Sequence, residues 1–232
     1  SVYNLGTLEL SNNNIPNGVY SKGNIVSMIN VTIMNGASVD VYDDTYNVTA
    51  TITDEDGNPI KNATGFTFVT DGANVAASYD AANDIYYGIL ALPGAGVYTI
   101  NVTYTDDKLN IITATINNYK GTFKDLANKV DNATSTLDLT YNFKYIPELG
   151  DNVCVDGIVI NKNLTINGNG YTIDGNNGAR IFVVYATLTV NDTVFKNGKA
   201  DKGGAIYVVG TLNIDNCTFI NNTATTGEGN DD

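Results

Sequence analysis

Apolar and polar residues alternate along most of the chain in short runs broken by Asn, Gly and Asp, a pattern that predicts strands rather than helices. Three of these runs are in phase. Leu164-Thr165-Ile166, Leu188-Thr189-Val190 and Leu212-Asn213-Ile214 recur every 24 residues, each followed by a turn containing Asn or Asp, and Phe195 and Phe219 keep the same spacing. A unit of that length, made of short strands and Asn/Gly turns with no helical period, is what one coil of a parallel β-helix would look like, with like residues stacked on like. Leu164, Leu188 and Leu212 then form one interior ladder, and Ile166, Val190 and Ile214 the next.

The segment TFKDLANKVDN, from Thr122 to Asn132, is the exception: Phe123, Leu126, Ala127 and Val130 have helical spacing, and Thr122 with Asp125 resembles a capping box. Placed just before the first coil, this helix is expected to cover the open end, where strand edges would otherwise face water. From Ala37 to Asn118 the pattern changes to separate strands with distinct turns: YNVTATITD, GFTFVTDG, DIYYGILAL, GVYTINVTY and NIITATINNY. That predicts a sandwich, with Tyr98 entering a strand that carries Ile100, Val102 and Tyr104 on one face, like the tyrosine-corner region of immunoglobulin-like domains.

The first 36 residues return to the coil pattern. Ser1 to Asn13 aligns without gaps on Ala205 to Cys217, with Tyr3 on Tyr207 and Gly6-Thr7-Leu8 on Gly210-Thr211-Leu212. Leu8 and Leu10 would be ladder residues, and Ile25 to Gly36, with Val31 standing 23 residues after Leu8, reads as a further pass. The expected organisation is therefore terminal β-helix coils over 1–36, a β-sandwich over 37–118 and a helix-capped β-helix start over 119–232. The absence of an initiator Met and of a leader with a basic start and apolar core leads to the expectation that the chain is cut from something larger or processed.

Composition narrows the chemistry. With 12 Lys+Arg against 25 Asp+Glu the formal charge is −13, which argues against nucleic-acid binding and against polybasic attachment to membranes. There is no His, so an enzyme would have to work with carboxylates, Lys or Tyr. No apolar run approaches the roughly 18 residues of a membrane span, so no membrane insertion is expected within the segment. Cys154 and Cys217 match no metal spacing and are expected to be unpaired, partly buried thiols.

GIVINKNLTINGNGYTIDG from Gly157, ARIF from Ala179, GGAIY from Gly203 and NCTFINNTA from Asn216 resemble the adhesin-like surface proteins of methanogenic archaea. TITDEDGNPIKN and GVYTINVTY extend the resemblance into the sandwich. It implies right-handed parallel β-helix segments flanking a bacterial immunoglobulin-like domain, hence an all-β fold, and an extracellular, cell-surface or cell-wall protein serving adhesion or surface architecture. No catalytic residue set comes with it.

Nine Asn-x-Ser/Thr sequons, at Asn30, Asn47, Asn62, Asn101, Asn132, Asn163, Asn191, Asn216 and Asn221, are candidate N-glycosylation sites, against about five expected from composition. A polysaccharide-active site on a β-helix would need carboxylates converging from successive coils, for which Asp174, Asp192 and Asp215 with Lys196 and Arg180 are the candidates. Asp192 and Asp215 fall in turns, where Asp serves its own backbone, and the expectation is that the protein is not an enzyme. A structural calcium would have to come from Asp40, Asp43 and Asp44, from Asp54, Glu55 and Asp56, or from Asp106 and Asp107, none of which follows a spaced-ligand loop; no other cofactor is expected. Tyr86 and Tyr87 are expected among the sandwich packing, and Tyr42, Tyr46 and Tyr119 near domain junctions.

Two functions remain. One is a stiff stalk or fibre whose coils stack head to tail, on copies of itself or on neighbouring repeats of a longer chain, through Val2, Tyr3, Leu8, Leu10, Leu212, Ile214 and Phe219. The other is an adhesin module binding a surface glycan or host protein through turn loops.

Overall fold

The computed structural model describes residues 2–4, 7–9, 19–21, 24–26, 28–33, 38–54, 56–71, 73–103, 108–112 and 114–226. The described chain is mostly strand, with one α-helix, Phe123–Asn132, and two short 3₁₀ turns, Pro147–Leu149 and Asp151–Cys154. It divides into two compact units, one of residues 1–93 with 98–117 and one of residues 94–97 with 118–232.

In the second unit the strands form parallel stacks whose register follows the 24-residue spacing in the later coils, while earlier pairs such as Phe143 with Ile173 and Ile173 with Phe195 stand 30 and 22 residues apart. Leu164 lies against Leu188 and Leu188 against Leu212, while Ile166, Val190 and Ile214 make the neighbouring ladder. A second stack aligns Phe143, Ile173, Phe195 and Phe219, and a third aligns Ile158, Phe182 and Ile206 beside Ile160, Val184 and Val208. Their inward side chains share one core with Phe123, Leu126 and Val130 of the helix. Sheet spacing brings successive strands to about 4.8 Å, which leaves little room at the turns. At Gly210 a Cβ would collide with the carbonyl oxygens of Ala186 and Tyr185 in the preceding coil.

Asn and Asp recur at the corners because they tolerate the left-handed backbone. Asn169, Asp192 and Asn216 have φ of 52°, 50° and 48°, and Asn197 and Asn221 have φ of 50° and 52°. The corner backbone is bonded from coil to coil: Gly168 N donates to Asn191 O and Gly170 N to Asp192 O, each at 2.7 Å. Asn191 Nδ2 donates to Asn167 Oδ1 at 3.1 Å.

The helix starts as its spacing predicts. Thr122 Oγ1 accepts from Asp125 N at 3.1 Å, but the Asp125 carboxylate returns to Gly121 N, one residue before the capping threonine, and also accepts from Tyr141 Oη. A second group, which no local motif marks, holds the same helix end. Asp151 is fully buried and accepts from Phe123 N at 3.0 Å, Lys124 N at 2.8 Å and Ile146 N at 2.7 Å, so one carboxylate satisfies two of the helix's unpaired first-turn donors.

In the first unit two five-stranded sheets share a core of alternating residues, among them Val48, Ala50, Ile52, Phe68, Tyr86, Leu90, Ile100, Val102 and Ile116. Tyr86 is buried with its hydroxyl donating to Ile60 O and accepting from Ala63 N. Tyr98 is buried on the same face as Ile100 and Val102, Tyr104 lies outside the described residues, and Tyr87 and Tyr42 are exposed.

Two readings of this half of the chain change. Met28–Ile33, expected to belong to a further coil, pairs antiparallel with Thr45–Thr53 and parallel with Lys108–Ile112 as a member of one sheet. NIITATINNY, expected as one strand, is divided: Lys108–Ile112 belongs to that sheet and Ala114–Asn118 to the other. Earlier in the chain, Val2–Asn4 pairs in parallel with Val19–Ser21 and Thr7–Glu9 with Asn24–Val26, which sets Leu8 against Ile25, 17 residues on, rather than against Val31.

Replacing Asp151 by Ala leaves three N–H groups without that acceptor, two of them buried, and should lower the unfolding free energy by about 3 kcal/mol or more, measured by urea denaturation. Burial pushes the Asp151 carboxyl above its ordinary range, against the pull of its three N–H donors and of Lys124. Its folded form therefore holds a proton more tightly than its unfolded form, so the contribution to stability is greatest at low pH and is lost as pH rises through the folded value. Relative to Asp151→Asn, which does not titrate, the wild type should gain stability between pH 7 and about pH 4.

Candidate functional site

At the end of the stack opposite the helix, no strand of the described residues covers the last coil. Each coil offers a ladder of inward side chains to the next, and in the inner coils those residues are sealed: Phe182, Val184, Leu188, Val190 and Phe195 are all 0% exposed. In the last coil their register partners emerge, with Val208 41%, Ile214 51% and Phe219 44% exposed, and with Leu212 and Ile206 half-buried. Phe219 covers Phe195 as a stacked pair with centroids 5.0 Å apart, and its other face is uncovered by the described residues. Ile206–Val208, Thr211–Asp215, Thr218–Ile220 and Thr223–Ala224 are each the last strand of their sheet, so their outer backbone edges have no strand partner among the described residues.

Leu212, Ile214 and Phe219, three of the residues read as an assembly interface, are thus brought together on one face. Val2, Tyr3 and Leu8 lie in short parallel strands of the other unit, and Leu10 lies outside the described residues.

Asp174, Asp192 and Arg180, three of the catalytic candidates, make bonds within the stack. Asp174 Oδ1 accepts from Asn176 N and Asn197 Nδ2, and Lys196 Nζ lies 3.9 Å from its other oxygen. Asp192 Oδ1 accepts from Asn216 Nδ2 of the next coil. Asp215, paired in register with Asn191, is exposed at the edge of the last coil. Arg180, the one arginine of the chain, clamps three levels together: it donates to Asp156 O at 2.8 Å, to Lys202 O and Gly203 O, and to Asp201 Oδ1 at 3.0 Å, with its guanidinium over the Tyr207 ring. Cys154 and Cys217 are unpaired, and burial with the nearby Asp151 charge pushes the Cys154 thiol up, keeping it protonated.

Of the acidic runs weighed for calcium, Asp40 accepts from Asn117 Nδ2, and Asp54 closes a turn by accepting from Asp56 N, Asn58 N and Asn58 Nδ2, which holds its carboxyl below the usual range. Asp43 Oδ1 accepts from Asp44 N. Glu55, Asp106 and Asp107 lie outside the described residues, and among the described ones no three acidic or thiol groups gather to hold a metal. Tyr79 donates to Asp84 at 2.5 Å beside Lys61, a bond that pushes its hydroxyl up to about 12.

Among the sequons, Asn47, Asn62, Asn101, Asn132, Asn163, Asn216 and Asn221 are exposed, Asn191 is half-buried in the amide ladder, and the Asn30 side chain is outside the description. A cleft of about 410 Å³, lined by Asn169, Asp192, Thr193, Val194, Asn216 and Thr218, follows the left-handed corners. The 24-residue recurrence of Asn or Asp signals those corners in the sequence; the Arg180 clamp and the Asp151 staple carry no such signal.

Because the ladder is sealed at Leu188 and only half-buried at Leu212 among the described residues, Leu188→Ala should cost about 2 to 5 kcal/mol while Leu212→Ala costs clearly less, as read from paired urea denaturation curves. Comparison with protein-family models, with curated proteins and with solved structures found no match to this chain.

Proposed function

We propose that this chain is a structural and adhesive segment of an extracellular surface, in which the stacked unit is a right-handed parallel β-helix acting as a short stiff rod and the two-sheet unit is an immunoglobulin-like spacer. The observation that carries this reading is the unbroken in-register ladder, in which backbone groups bond from coil to coil. Such a stack resists bending because each level is bonded along its length to the next. The side chains that could have made a catalytic groove, Asp174, Asp192, Lys196 and Arg180, are spent on bonds within and between coils. The sequon density and the Asn/Thr-rich surface suit an exterior, glycosylated location.

An adhesin reading, in which turns bind a glycan or a host protein, is favoured by the corner cleft, whose hydroxyl and amide groups match the chemistry of sugars. On that reading the same stack is the scaffold.

Pulling single molecules by their ends tests the rod. The stacked unit should extend in steps of about 8 nm, the contour length of one coil. One all-or-none extension of the whole unit at low force would sink the mechanical reading, and antibody labelling of intact source cells checks the location. Saturable binding to a polysaccharide panel, lost on Asn216→Ala and Thr218→Ala, would move the function to the second reading.

A further inference from the structure

We propose that the outer face of the third strand stack, built on Val159, Val183, Tyr185, Tyr207 and Val209, pairs side by side with the same face of a second copy of this chain. The pairing stands apart from the rod reading, since it uses outward side chains and neither end of the stack.

Alternation gathers these residues. Ile158, Ile160, Phe182, Val184 and Ile206 turn to the core, so Val159, Val183 and Tyr207, which are partners in register, point away from it. The bonding between coils runs one residue further, from Tyr185 N to Ile160 O and from Val209 N to Val184 O, and carries Tyr185 and Val209 along the same face. Tyr185 is 58% exposed although its coil has a neighbour on each side, Ile158–Ile160 and Ile206–Val208, so its exposure is not a property of the last coil. The other two outer faces differ in chemistry. One presents Thr165, Thr189 and Asn213 beside Asn167, Asn191 and Asp215; the other mixes Thr172, Val194 and Thr218 with Asp174, Lys196 and Ile220. A contiguous outer face of valine and tyrosine marks a contact surface.

Area and charge choose the occupant. From their fractional exposures the five side chains offer about 400 Å² of apolar surface, and since a little over half of an interface is apolar, two such faces make a contact of about 1,400 Å², inside the range of stable pairs. None of the five is charged, in a chain whose formal charge is −13. Two copies repel over the rest of their surfaces, and a face without carboxylates is where they approach at least cost. The face is also self-complementary. A two-fold axis at Val183, recessed at 7% exposure, sets Val159 of each copy against Tyr207 of the other, small against large, and closes the pair as a dimer. Tyr207 is held ready for this by the Arg180 guanidinium, 5.3 Å from its ring centroid and itself bonded to Asp156 O, Lys202 O and Asp201, so the ring loses little freedom on binding.

Sedimentation equilibrium of the 232-residue chain over a concentration series tests the pairing. The wild type should show a monomer–dimer equilibrium that tightens as salt rises from about 0.05 M to 1 M, because salt screens the repulsion and leaves the apolar contact. Val159→Asp and Tyr185→Asp should each weaken it at least tenfold by burying a charge, and both should keep the wild-type circular dichroism, as Val159 and Tyr185 are exposed in the single chain. Ile89→Asp, at a position 63% exposed in the other unit, should dimerise as wild type does. In a Cys217→Ser background, Val159→Cys mixed with Tyr207→Cys should form disulfide-linked dimers under an added thiol oxidant at least tenfold faster than either variant alone. A wild type monomeric at every concentration, a dimer that survives both Asp substitutions or loosens with salt, or cross-linking no faster in the mixture would overturn the proposal. So would a monomer that binds a polysaccharide and loses that binding in Tyr185→Asp, which would give the face a different occupant.

Discussion

Backbone hydrogen bonding between successive coils, in one register, governs the stacked unit. Once Leu164 is set on Leu188 and Leu188 on Leu212, the side-chain period of two fixes which residues point inward at every level. The glycines at the close approaches and the Asn and Asp at the left-handed corners follow from the same step. The stack cannot finish itself, because any last coil presents the unmet half of the pattern that holds the others together.

The protein treats its two ends differently. At one, a helix with three buried apolar residues closes the core, held by Thr122 and by the Asp151 carboxylate against its first-turn N–H groups. Burying that carboxylate is tolerated because three donors converge on it, and the fold gains a cap that cannot swing away without stranding a charge. At the other end there is no comparable closure among the described residues, and Ile214 and Phe219 stand half in water. Arg180, bonded to levels above and below its own, ties the outer surface where the ladder ties the inside.

Much of this was legible in the sequence, for an identifiable reason. Repetition makes stacking visible, so the Leu and Phe ladders could be read from spacing, and the helix could be read from Phe123, Leu126 and Val130 with Thr122 before them. Alternation, by contrast, tells which face a residue takes and not which strand lies beside it. That is why Met28–Ile33 could be read as a coil although it pairs with Thr45–Thr53, and why the assignment of Lys108–Ile112 and Ala114–Asn118 to different sheets left no trace in the alternation of NIITATINNY. Asp151 could not be found at all from sequence, since the backbone donors it serves around Phe123 lie 28 residues away and belong to no motif. For the candidate site, the residue types of the open face were readable, but its exposure depends on what does or does not follow in space.

The corner geometry also bears on how the protein ages. Asn-Gly steps are ordinarily where chains deamidate first, because the glycine nitrogen, unhindered, attacks the preceding side-chain amide to form a cyclic imide. The stacked unit has four such steps, at Asn167, Asn169, Asn177 and Asn197. In each the glycine N–H is already committed: Gly168 to Asn191 O, Gly170 to Asp192 O, Gly178 to Gly175 O and Gly198 to Asn222 Oδ1. A nitrogen held by that bond cannot readily swing onto the amide, so at three of the four steps the contacts that stack the coils, and at Asn177 a local turn, also slow the chemical clock.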